Sequence, residues 1–142
     1  MNKKEMNNKG FSLVELIIVI AIMAILIGVL APQFIKYVEK SRESTDITNL
    51  DTCVSAVKVY YADRTFPTSI VVAPDADGKF AATITGGGST DDPLGDAGCD
   101  NSYLKSGKWT GFKATITSGK VEYEGTADYY EPNSSKSGYD PK

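Results

Sequence analysis

The hydrophobic pattern of the chain changes period twice. From Leu16 to Ile35 it reads LIIVIAIMAILIGVLAPQFI, twenty residues without a charge and apolar on every side. Wound as a helix at 1.5 Å per residue, the stretch covers about 30 Å, the hydrocarbon thickness of a bilayer. A core helix of a soluble domain is usually apolar on one face only, so all-round apolarity points to membrane insertion. Beyond it the pattern turns amphipathic. Lys36 to Asp46 is polar apart from Tyr37 and Val38, and then Ile47, Leu50, Val54, Val57 and Tyr61 recur at spacings of 3, 4, 3 and 4. That stripe predicts continued helix with one face to be covered by the rest of the chain. Phe66-Pro67 ends it, because the residue before a proline avoids the α region. The expectation is a single helix from Phe11 to Arg64, about 55 residues and about 80 Å long.

Downstream the period drops to two. Ile70-Val71-Val72 and Phe80 to Ile84 flank Asp77-Gly78, a hairpin signal. Phe112, Ala114 and Ile116 alternate with Lys113, Thr115 and Thr117; Ser118-Gly119 turns the chain, and Val121 and Tyr123 alternate with charged neighbours. The apolar face of this second hairpin is expected to lie on the helical stripe. Gly86 to Gly107 reads as loop, and Pro132 to Lys142, rich in Ser, Pro, Gly and Asn, is expected to fray. The fold class predicted is α+β: a long N-terminal helix packed on a small antiparallel sheet.

Charge assigns an orientation and removes chemistries. Residues 1–40 carry a balance of +2 and the remaining 102 a balance of -5, summing to the net -3. Lys3, Lys4 and Lys9 precede the apolar span, so the positive-inside rule leaves the N-terminus in the cytoplasm and exports residues from about 36 onward. An acidic chain has no footprint for nucleic acid. There is no histidine, which removes His-dependent triads, His-ligated zinc and the usual near-neutral general base, so no enzymatic activity is expected. A secretory signal peptide would have a shorter apolar run and a small-x-small cleavage site after it; here Pro32-Gln33-Phe34 follows instead.

The processing signal stands before the span, as Gly10-Phe11-Ser12-Leu13-Val14-Glu15 behind a short basic leader. On these residues the sequence resembles the type IV pilin and pseudopilin family. Its members carry a charged leader, a Gly before the scissile bond, a Phe-Ser/Thr-Leu start and a Glu at the fifth mature position. Pro32 matches a proline typical of pilins. The resemblance covers residues 1–40 and says little of residues 68–142. It implies cleavage by a prepilin peptidase between Gly10 and Phe11, N-methylation of Phe11, and assembly through Glu15 and Pro32. The implied partners are identical subunits in a helical filament, an inner-membrane assembly machinery, and the membrane itself before assembly. The implied destination is the cell surface.

Physical chemistry bears on the same residues. A carboxylate inside an apolar helix start is costly and marks function, although Glu15 can also snorkel to the interface or cap the helix. Cleavage would free an α-amine on Phe11 with a pKa of about 8, mostly cationic, and an amine and a carboxylate in apolar surroundings satisfy each other. Pro32 removes an N–H and loosens the helix near Gly28. The segments expected are a leader at 1–10, a membrane and filament-core helix at 11–35, its amphipathic continuation at 36–65, a sheet-bearing head at 66–131 and a flexible tail at 132–142.

Cys53 and Cys99 are the only cysteines, and both fall on the exported side, where an even pair favours a disulfide over two unrelated thiols. Asp91, Asp92, Asp96 and Asp100 crowd one loop, and carboxylates of this kind can hold Ca2+. Asp92-Pro93-Leu94-Gly95 also resembles a loop of calcium-binding major pseudopilins, where a Trp usually stands in place of Leu94. The spacing is no EF-hand, and Asp before Pro and Gly is ordinary turn chemistry, so no cofactor is expected. Gly86 to Gly88 lacks the Lys-Ser/Thr of a phosphate loop. Tyr103, Trp109, Tyr129, Tyr130 and Tyr139 fall outside the predicted apolar faces; they can bind glycans, cover the sheet or lie between subunits. Three functions fit: a structural pilin, a pseudopilin of a type II secretion system, or a monomeric membrane-anchored binding protein. The last leaves Glu15 unpaired and the leader unexplained.

Overall fold

The apolar run and the amphipathic stripe form one helix, α1 (Leu13–Tyr60), in a computed structural model that describes residues 10–86, 92–99 and 102–142. The helix runs through Gly28 and Pro32 without interruption. The helix is shorter than expected at both ends, for different reasons. At its start, the Ser12 carbonyl accepts the Leu16 N–H at 3.2 Å and the Ser12 N–H donates to Glu15 Oε2 at 2.9 Å, so Ser12 stands at the N-cap position and Leu13 is the first helical residue. At its end, Tyr61 turns into the core against the Phe66 ring, 5.4 Å away, and residues 61–64 close as turns.

The strands are β1 (Ser69–Pro74), β2 (Phe80–Thr85), β3 (Thr110–Thr117) and β4 (Lys120–Thr126), joined in the order β2-β1-β3-β4 with antiparallel pairing throughout. In the β3–β4 hairpin, Thr117 faces Lys120 across Ser118 and Gly119, both at positive φ (49° and 82°), the conformation a two-residue primed turn requires. The β1–β2 hairpin is wider than the Asp77-Gly78 signal suggested. Pro74 pairs with Phe80, and Asp75 Oδ1 gathers the N–H groups of Asp77 and Lys79 at 2.9 and 3.0 Å.

Two stretches differ from expectation. The Gly86–Gly107 loop contains a short helix, α2 (Pro93–Asp96), because Asp92 caps it and Pro93 is preset for a first helical position. The tail does not fray: β5 (Tyr130–Pro132) pairs with β6 (Tyr139–Pro141). Ring contacts and hydrogen bonds hold it. The Tyr139 ring packs against Trp109, Phe112 and Tyr123, its hydroxyl donates to the Glu124 carbonyl, and Lys142 Nζ donates to the Ala127 carbonyl at 2.6 Å.

By internal contacts the chain divides into Met1–Tyr37 and Val38–Lys142. In the first unit every side chain from Phe11 to Leu30 is exposed, and α1 is the helix long and apolar enough to cross a membrane. In the second, Leu50, Cys53, Val54 and Val57 of α1 pack with Ile70, Val72, Phe80, Phe112, Ala114 and Ile116 of the sheet. Ile47 is partly buried at the edge of this core. Trp109 and Tyr139, expected outside the apolar faces, flank the core through their ring contacts, with Trp109 stacked on Phe112 at 4.1 Å. Tyr103 stays 43% exposed.

Candidate functional site

The motif residues occupy the boundary where the helix begins. Gly10 and Phe11 lie outside α1 and are exposed, Phe11 to 93%, so the Gly10–Phe11 peptide is in no regular structure. Glu15 follows three residues after the N-cap position, Ser12, and reaches back to its N–H, which is one half of a capping box. Oε2 is engaged in this bond. The Ser-x-x-Glu spacing was the signal for the capping arrangement. Pro32 lies within α1, where its missing N–H leaves the Gly28 carbonyl without the usual helical donor. Lys3, Lys4 and Lys9 of the leader lie outside the described residues.

A second set of carboxylates on α1 was not anticipated. Glu43 and Asp46 are fully buried, with 0% exposure each. Glu43 accepts the N–H groups of Asp128 and Tyr129 at 3.2 and 2.9 Å. Asp46 accepts those of Lys105 and Ser106 at 2.6 and 2.9 Å, and the indole N–H of Trp109 at 3.1 Å. One turn earlier Glu39 accepts from the Ser106 hydroxyl and pairs with Arg42 at 3.5 Å. Burial pushes the Glu43 and Asp46 carboxyls above their usual range; the N–H donors pull each back without cancelling the effect. These residues bind the 105–109 and 128–129 segments to the helix. Among the described residues no buried side-chain nitrogen or oxygen lacks a partner.

The structure brings the cysteines together. Cys53 and Cys99 are bridged, with Cα atoms 5.6 Å apart, and both are buried. The bridge joins α1 to the residue three past α2, while Cys99 N–H also donates to the Leu94 carbonyl at 2.8 Å. Of the four aspartates weighed for Ca2+, Asp91 and Asp100 lie outside the described residues. Asp92 Oδ1 accepts the Gly95 N–H at 3.0 Å, and Asp96 is exposed at the end of α2. No group of three or more acidic or thiol side chains converges on a point among the described residues.

These features define a class: an exposed, wholly apolar helix carrying a cleavage-type motif and one carboxylate at its head, continuous with a helix face that a small sheet covers. Residues 6–31, which include Gly10, Phe11 and Glu15, match the family model described as the prokaryotic N-terminal methylation motif. The chain is 31% identical over 120 residues to the fimbrial protein EcpC of Eikenella corrodens, a match covering 84% of this chain and 76% of that one. It therefore belongs to the type IV pilin family. It is also 33% identical over 82 residues to the type IV major pilin protein PilA of Myxococcus xanthus, across 55% of this chain but 37% of that relative's length. With the type IV narrow pilus major component PilA5 of Thermus thermophilus it shares 35% identity over 85 residues, 60% of this chain and 66% of that one. No solved structure matches the chain.

Proposed function

We propose that the chain is the precursor of a structural type IV pilus subunit without catalytic activity or cofactor. It is inserted as a single-pass membrane protein with its N-terminus in the cytoplasm and its head exported. A prepilin peptidase cuts between Gly10 and Phe11, the new amine of Phe11 is methylated, and an inner-membrane machinery assembles identical copies into a surface filament. The observation that carries this reading is the bare apolar surface of residues 13–35 with a carboxylate at Glu15. In water that surface has no use; in a bilayer or among neighbouring helices of the same kind it is fully satisfied.

Assembly follows from pairing. Glu15 keeps Oε1 available beside its bond to Ser12. The cationic amine of a neighbour's Phe11 satisfies it at one axial offset, so the pair sets register as well as stabilising the contact. The relatives above are named as pilins and fimbrial proteins, which favours a pilus subunit over a secretion-system pseudopilin or an anchored binding protein. N-terminal sequencing and intact mass of protein taken from sheared surface fibres test the proposal. The expected protein begins at methylated Phe11 and retains residues to Lys142. Protein that still carries Met1 to Gly10, or that is cut after residue 30, overturns it.

A further inference from the structure

We propose that Asn133 accepts an N-linked glycan. The inference rests on the reading that residues from about 36 onward are exported, since the required donor, a polyprenyl-diphosphate-linked glycan, is used outside the cytoplasm. Asn133-Ser134-Ser135 is the sole Asn-x-Ser/Thr triplet in the chain, and such a triplet is an acceptor when it lies on a surface turn of an exported protein. It lies on one. Asn133 follows the last residue of β5 and is itself half-buried, while Ser134, Ser135, Lys136 and Ser137 are all exposed in the turn to β6.

The geometry around the amide suits the chemistry. A carboxamide nitrogen is a poor nucleophile, and the proton on it must leave as the new bond forms. Ser135 Oγ donates to Asn133 Oδ1 at 3.1 Å, and the Ser137 N–H donates to the same oxygen at 2.9 Å. Both draw electron density toward oxygen and acidify the Nδ2 protons. Among the described residues Nδ2 itself donates only to the exposed Ser137 hydroxyl, at 3.2 Å. In the transfer, Nδ2 bonds to the anomeric carbon and the carbon–oxygen bond to the lipid diphosphate breaks. The diphosphate departs with that electron pair, and the amide proton passes to a carboxylate of the transferase. The turn is anchored to the sheet, for the Lys136 carbonyl accepts the Tyr123 N–H of β4 at 2.8 Å. A bulky hydrated group there shields the β4 edge from pairing with another chain.

The test is site-localised tandem mass spectrometry of full-length protein from surface fibres of the native cells. The expected result is a glycan-sized mass increment on the peptide bearing Asn133. It should vanish in Asn133→Asp, which keeps the acceptor oxygens of the turn, and in Ser135→Ala, and persist in Ser134→Ala. Fibres whose subunits carry no increment overturn the inference and leave the pilin reading intact. An increment that survives Asn133→Asp belongs to a serine and also overturns it. A chain absent from the surface fraction takes both readings down.

Discussion

Asp46 offers the most direct probe of how the head is held on its helix. Asp46→Ala deletes a carboxylate that receives the N–H groups of Lys105 and Ser106 and the indole N–H of Trp109. Lys105 is exposed and can turn to water, but Ser106 is buried and Trp109 half-buried. Two stranded donors cost about 1–3 kcal/mol each, and removing a buried carboxylate that has no cation in contact returns part of that. The net loss should be about 2–4 kcal/mol, a large fraction of a typical domain's stability. For a head of this size that corresponds to a fall in Tm of about 10–20 °C. Trp109 is the only tryptophan, so its fluorescence reads the site without a label. Thermal unfolding of the detergent-solubilised protein should show the lowered Tm, with emission shifted to the red before the transition as the indole loses its acceptor and its stack on Phe112. Asp46→Asn, which keeps one acceptor and aims an NH2 at a donor, should fall between the two. If Asp46→Ala unfolds at the wild-type temperature with unchanged emission, the carboxylate does not hold these segments.

Glu15→Ala should leave insertion and cleavage normal but abolish or sharply reduce fibre yield when no wild-type subunit is present, a loss of about 3–5 kcal/mol per broken pair; fibres of wild-type length and number would refute the pairing. Replacing both Cys53 and Cys99 by Ala should destabilise the head by up to about 4 kcal/mol for a closed loop of 46 residues, read from urea midpoints; equal midpoints would show that the bridge adds nothing. The pH dependence follows from burial. Glu43 and Asp46 bind protons more readily folded than unfolded, so their contribution is complete below the ordinary values of 4.5 and 3.8 and is lost as pH rises through the raised ones. Relative to Asp46→Asn, wild-type Tm should therefore decline as pH rises above 3.8, and a pH-independent difference would contradict the shift.

Much of the fold was legible because period alone specified it. The uninterrupted apolar run, the 3-4 stripe from Ile47 to Tyr61 and the alternation around Ser118-Gly119 each matched one secondary structure. What stayed hidden depended on partners far along the chain. Tyr139 reads as one aromatic in a Ser- and Pro-rich tail, and its contacts with Trp109 and Phe112, far along the chain, help to order that tail as a sheet. Asp92 reads as an ordinary turn residue or an oxygen ligand; its capping of α2 needed the positions of Pro93 and Gly95. Glu43 and Asp46 were the larger omission. With the half-buried Glu39 they extend the inward face at positions 39, 43, 46, 50, 53 and 57, an unbroken 4-3-4-3-4 spacing. A search for apolar residues stops at Ile47 because the face changes chemistry there without changing period.

The same rule governs every carboxylate that matters on α1. A carboxylate removed from water must be surrounded by donors, and the helix cannot supply them from its interior, where each backbone N–H is already engaged. Glu43 and Asp46 solve this with N–H groups from the head's own loops, so their donors arrive when the head folds. Glu15 sits where the helix still has an unengaged N–H to give, that of Ser12, and this satisfies one oxygen. In the proposed filament its second donor is the amine that cleavage before Phe11 creates, and that amine comes from another copy. A carboxylate completed within one chain stabilises a fold; one left half-completed until a second chain arrives specifies an assembly. On this account the two kinds are separated by where their donors originate, and a charge pattern in the sequence records the acceptors alone.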